Sequence, residues 1–148
     1  MRHILIATDG SPSAQEAVEV GLELAADQGA EVTFVHVLPP DTIAGGRGGA
    51  HAVAHRETID ESETALKGAS DAAEQAGVSC SLERISGETV ETIVALGAEK
   101  DVDLIVVGSR GRNPVAALLG SVSRGVLSHA KRPVLVVKTA KARVEASG

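Results

Sequence analysis

Aromatic residues are almost missing from this chain: Phe34 stands alone among 148 residues, with no tyrosine and no tryptophan. That excludes the aromatic stacking platforms on which single-stranded nucleic acids are held. Cysteine is nearly missing too. With Cys80 the sole thiol, no disulfide closes within the chain and no cysteine-rich zinc or iron–sulfur site forms. Positive charge is in deficit, with 14 Lys and Arg against 20 Asp and Glu, a formal net charge of −6 and a pI near 5.3. A protein built on phosphate-backbone contacts needs a basic face, so neither DNA nor RNA is expected as a ligand. No apolar run approaches the ~20 residues that cross a bilayer. The opening Met1–Asp9 meets an acidic residue too soon for a signal-peptide core. The expectation is a soluble cytoplasmic protein without a membrane partner.

What is present is an ordinary globular composition, 43% hydrophobic and 23% charged at 15.0 kDa, enough for one domain with one core. Four apolar runs of strand length stand out: Ile4–Ala7, Val32–Leu38, Leu104–Val107 and Val134–Val137. Runs without polar alternation predict strands covered on both faces, as in a parallel sheet. Cys80–Ile85, diluted by Ser81, Glu83 and Arg84, predicts an edge strand. Between the runs lie helical patterns. Ala14, Ala17, Val18, Gly21, Leu22 and Ala25 share one face, with Ser11 as N-cap, Pro12 at the first helical position and Gly29 as the stop. A second helix is predicted from about Glu57 to Ala76, with Ile59, Leu66, Ala69, Ala73 and Ala76 as its apolar stripe. A third opens after Gly87 with Val90, Ile93, Val94 and Gly97. A fourth follows Gly120 with Val122, Val126 and Leu127, its last turn marked by Lys131-Arg132 before Pro133. Alternation of this kind predicts an α/β doubly wound fold, an open parallel sheet with helices on both faces. The domain is expected to span 1–140, with 141–148 a frayed tail.

In such a sheet, ligands bind beyond the carboxyl ends of the strands. The first strand ends in Thr8-Asp9-Gly10-Ser11, the fourth in Gly108-Ser109-Arg110-Gly111-Arg112-Asn113, and Gly120-Ser121-Val122-Ser123 opens the last helix. Glycines that admit close backbone approach, a helix start, hydroxyls and arginines together describe a phosphate site. Neither of the two standard phosphate-loop motifs is present. Asp9 also reads as a turn residue beside the Ser11 cap. A receiver domain, phosphorylated on an Asp after its third strand, is excluded because Ile85-Ser86-Gly87 offers none. His51 and His55, four apart, lack a third ligand and read as solvated. His36 reads as a core or strand-end histidine and Cys80 as a small hydrophobe. Gly45, Gly46, Gly48 and Gly49 read as a lid or linker.

The chain resembles the universal stress protein family. Ile4-Leu5-Ile6-Ala7-Thr8-Asp9-Gly10-Ser11 is similar to that family's opening strand and turn. Phe34-Val35-His36-Val37, Asp103–Gly111, Leu118–Ser123 and Arg132–Val137 are similar to its later segments, in family order. The resemblance implies a five-stranded sheet in the order 3-2-1-4-5 and a choice between an ATP-binding and a non-binding subfamily. Gly108, Gly111 and Gly120-Ser121 match the ATP-binding pattern in type, but eight residues, Arg112 to Leu119, stand where the pattern has nine. By the same resemblance Ala7, Thr8 and Asp9 lie at the adenine and ribose end, and Val37 meets adenine through its backbone. Val107 lines base and sugar, and Gly108 and Gly111 approach ribose and phosphate. Gly120, Ser121 and Val122 donate N–H groups to the phosphates, with Ser123 a further candidate and Arg110 adding positive charge. Magnesium, where present, is held by phosphates and water rather than by a protein cage. No catalytic residue and no protein metal site are assigned. The resemblance also implies a homodimer through the edge strand Pro133–Lys138. The implied function is an ATP-dependent stress sensor or regulator. The alternatives are a protein–protein interaction module without nucleotide, and a slow ATPase.

Overall fold

Ile4-Leu5-Ile6 and Leu104-Ile105-Val106 present apolar side chains to both faces, so each strand needs cover on both sides. The computed structural model describes residues 1–40, 50–110 and 119–138, and of 50–58 the backbone only. Within them the chain runs β1 (His3–Ala7), α1 (Pro12–Gln28), β2 (Glu31–Leu38), α2 (Ala50–Ala76), β3 (Cys80–Ser86), α3 (Thr89–Glu99), β4 (Leu104–Gly108), α4 (Ser121–His129) and β5 (Val134–Val137). The strands form one five-stranded sheet in the order β3-β2-β1-β4-β5, every pairing parallel. The expected fold class is the observed one.

The strand period of two sorts the core into two layers. Ile4, Ile6, Val32, Phe34 and Val106 pack on one face against Ala17, Val18 and Leu22 of α1 and Leu66, Ala69 and Ala73 of α2. Leu5, Val35, Ile105 and Val107 pack on the other against Ile93 and Leu96 of α3 and Val126 of α4. Thr33, polar within an apolar run, is buried between His3 and Ser81, whose side chains hydrogen-bond its hydroxyl at 2.7 and 2.9 Å.

The boundaries of α1 follow its capping chemistry. The Ser11 hydroxyl accepts the Ala14 N–H at 3.2 Å, Pro12 opens the helix, and Gly29 closes it at φ +65°. Several expectations need correction. Helix α2 starts at Ala50, not Glu57, because Ala50-His51-Ala52-Val53-Ala54 has enough helix propensity to extend it upstream. His51 and His55 therefore lie in α2, and their side chains fall outside the described residues. Ala76, in the last turn, is exposed; the buried stripe runs through Ser62, Leu66, Ala69 and Ala73 instead. Leu127 is 47% exposed, turned away from the face that carries Ser123 and Val126. Helix α4 ends at His129, so Lys131 and Arg132 lie beyond it and His129 is the basic residue of its last turn. The 41–49 glycine segment and the 139–148 tail lie outside the described residues.

At the amino ends of the strands, the Asp103 carboxylate accepts the backbone N–H groups of Arg2 at 2.7 Å and His3 at 3.1 Å. These bonds favour the charged form and hold its pKa below the ordinary 3.8. A depressed carboxyl contributes stability above its unfolded pKa and loses it as pH falls through the folded one. The melting-temperature gap between wild type and Asp103→Asn should therefore stay constant above about pH 5 and close progressively below about pH 4. A gap that persists unchanged into stronger acid would show that the charge of Asp103 does not contribute.

Candidate functional site

Strand β2 outruns β1. The β1–β2 pairing ends at Ala7 and Val35, while β2 continues beside β3 to Leu38 and Ser86. Val35 accepts the Thr8 N–H from the β1 side at 2.9 Å, and Leu38 accepts the Gly87 N–H from the β3 side at 3.0 Å. Strand alternation therefore turns the peptide groups of Val37 toward the space beyond the end of β1.

That space is a cleft of about 420 Å³ at the carboxyl edge of the sheet. Of the residues expected at the site, Ala7, Thr8, Asp9, Val37, Val107, Gly108, Arg110, Gly120, Ser121, Val122 and Ser123 all line it. Gly111 and residues 112–118 of the shortened segment lie outside the described residues. The cleft sits where the strand order reverses, β1 leading to β2 on one side and β4 on the other.

Two hydrogen-bonded turns shape its walls. After β1, Thr8 Oγ1 accepts the Gly10 N–H at 3.2 Å and Asp9 Oδ1 accepts the Ser11 N–H at 2.9 Å, so Asp9 fills its turn role whatever else it does. After β4, the Ser109 N–H donates to Val137 O at 2.9 Å and the Gly120 N–H donates to Ser109 O at 2.7 Å. This brings the start of α4 against the end of β4. Gly120 caps α4 without any side-chain hydrogen bond. The first N–H groups of the helix therefore have no side-chain cap, and its positive dipole end faces the cleft. Ser121 is exposed at this edge. Ser123 is 1% exposed, and its hydroxyl donates to Gly120 O at 3.0 Å, so it braces the helix start with a proton already committed.

The cleft also takes residues that sequence reasoning missed: His36 and Leu38 from β2, Glu61 from α2, Thr89 and Ile93 from α3. Thr89 opens a helix at a strand's carboxyl end, a signal the general rule for such sheets supplies. Glu61 has no local signal, because the packing of α2 alone brings it there. A second groove of about 550 Å³ lies between α1 and α2 and shares Thr8, Asp9 and Glu61 with the cleft. No group of three or more potential metal ligands occurs among the described residues. No helix among them is long and apolar enough to cross a membrane.

Residues 1–138 match the model of the universal stress protein family. The chain belongs to that family. This universal stress protein is 34% identical over 142 residues to universal stress protein MJ0531 of Methanocaldococcus jannaschii, covering 95% of this chain and 84% of the relative. Among solved structures it is similar to a universal stress protein in complex with cAMP, at 30% identity and a TM-score of 0.68 over 93% of this chain and 97% of the other. It is similar also to the Archaeoglobus fulgidus universal stress protein in complex with dAMP, at 27% identity and a TM-score of 0.70 over 93% and 98% of the two chains.

Proposed function

We propose that this universal stress protein binds an adenine nucleotide in the cleft, ATP foremost, and acts as a nucleotide-dependent stress regulator. The observation that carries this reading is the convergence in one cleft of three groups: the Val37 peptide edge, Arg110 and the amino end of α4. A donor and an acceptor on an extended strand suit the edge of a purine, and a helix start beside an arginine suits phosphate. The cAMP and dAMP complexes of family members support the adenine part. Ala7, Thr8 and Asp9 would face base and ribose, Val107 and Gly108 the sugar, and Gly120, Ser121 and Val122 the phosphates. Magnesium would ride on the phosphates and water.

Melting nucleotide-stripped protein with and without Mg-ATP tests this. Ligand at 100 times its Kd stabilises by about 2.7 kcal/mol, roughly 5–10 °C for a chain of this size. That shift is expected with ATP and not with GTP. No shift at millimolar adenine nucleotide would overturn the reading in favour of a protein-interaction module. Phosphate release above background would add slow hydrolysis.

A homodimer through Pro133–Lys138 belongs to the same proposal. Val134, Leu135 and Val136 of the edge strand β5 remain half-buried, and Leu127 nearby in sequence is exposed. An apolar edge of this kind invites pairing, and a lysine on it opposes pairing. Val136→Lys is expected to shift the mass in light scattering from twice the 15.0 kDa chain to one chain. Wild type that runs as a monomer would remove the dimer from the proposal.

A further inference from the structure

The end of β4 is fastened to three elements. Ser109 N–H reaches β5 and Ser109 O receives the start of α4. The third fastening comes from α1: the Arg110 N–H donates to Ser13 Oγ at 3.1 Å, a contact between residues 97 apart in sequence. Ser13 is 5% exposed. It is not the cap of α1, since Ser11 fills that role. An alanine there would favour the helix and avoid burying a hydroxyl. The hydroxyl instead spans to Arg110, the arginine that lines the cleft beside the start of α4. The contact is also close. A Cβ on Gly108 would lie 2.6 Å from Ser13 Oγ and 2.8 Å from Ser13 O. The first turn of α1 and the last residue of β4 thus touch main chain to main chain, and the backbone leaving that contact is the one Ser13 holds.

We propose that Ser13 is a positioning residue that sets selectivity for the polyphosphate: by fixing the Arg110 backbone it aims the Arg110 side chain at the phosphates. This rests on the adenine-nucleotide reading above. A residue that merely filled space or stabilised the fold would affect nucleoside and nucleotide alike. One that acts through Arg110 affects only ligands bearing phosphate.

Calorimetric titration of the full chain with adenosine, AMP and Mg-ATP separates the two, using wild type, Ser13→Ala, Arg110→Ala and the double variant. Ser13→Ala is expected to weaken ATP by about tenfold, the scale of one hydrogen bond to a charged group. Adenosine should stay within about twofold of wild type. In the Arg110→Ala background, Ser13→Ala should cost less than about twofold for ATP, because the partner it acts through is gone. Equal losses for adenosine and ATP, an unchanged ATP affinity, or an undiminished effect in the Arg110→Ala background would each overturn the proposal. Wild type that binds none of the three ligands would overturn the nucleotide reading itself and this inference with it. Should Ser13→Ala fail to fold, Ser13→Cys keeps the shape while accepting hydrogen bonds only weakly, and has the same expected outcome.

Discussion

Phe34→Ala is expected to lower the melting temperature by roughly 10–15 °C, corresponding to the 3–5 kcal/mol typical of removing a buried phenylalanine side chain. Phe34 is fully buried and is the largest side chain in that state. It sits in β2 between Ile6 of β1 and Leu82 of β3. The helices above it bring four alanines to the cluster, Ala17 and Ala25 from α1 and Ala69 and Ala73 from α2, beside the larger Val18, Leu22 and Leu66. Alanines sit close to their own backbone and cannot lean into a hole left below them, so only the larger three can fill part of the cavity. The loss should therefore fall within that range, set by how far those three relax. Differential scanning calorimetry measures it. A drop under about 3 °C would mean that the layer between α1, α2 and the sheet repacks freely, contrary to the closely set small side chains seen there.

The same composition explains what could be read in the sequence and what could not. Strands covered on both faces leave an unmistakable mark, so Ile4–Ala7, Leu104–Val107 and Val134–Val137 lie within or coincide with observed strands. Caps are local, so Ser11, Pro12 and Gly29 bound α1 as expected. Helix α2 fails on the same logic: an alanine-rich stretch has no sharp beginning, and Ala50 begins the helix seven residues before the expected start at Glu57. Leu127 fails because an apolar residue in a short helix gives no sign of which way it faces. At the site, position-by-position resemblance to the family supplied the residues, and the fold gathers the described ones into one cleft. Glu61 and Ser13 stayed hidden, because Glu61 reaches the cleft only through the packing of α2 and Ser13 meets a partner 97 residues away. No periodicity or spacing encodes a contact between α1 and the end of β4.

Gly108→Ala is the substitution expected to damage fold and site together. The added Cβ would meet Ser13 Oγ at 2.6 Å, Ser13 O at 2.8 Å and Ser13 C at 2.9 Å. A side chain can rotate away, but the last two atoms belong to the backbone of α1 and move only with the helix. Overpacking of this kind costs about 1–3 kcal/mol, and the expected fall in melting temperature is roughly 3–10 °C. Moving α1 also displaces Thr8–Ser11 at one wall of the cleft and Arg110 at another, so nucleotide stabilisation should be lost as well. A second substitution tests the cause. Were the hydroxyl the obstacle, Ser13→Ala would restore Gly108→Ala. Since the carbonyl and its carbon remain in place, the double variant should melt no higher than Gly108→Ala alone and should still show no shift with ATP. Recovery of both properties would show that β4 and α1 meet through the Ser13 side chain and not through their main chains.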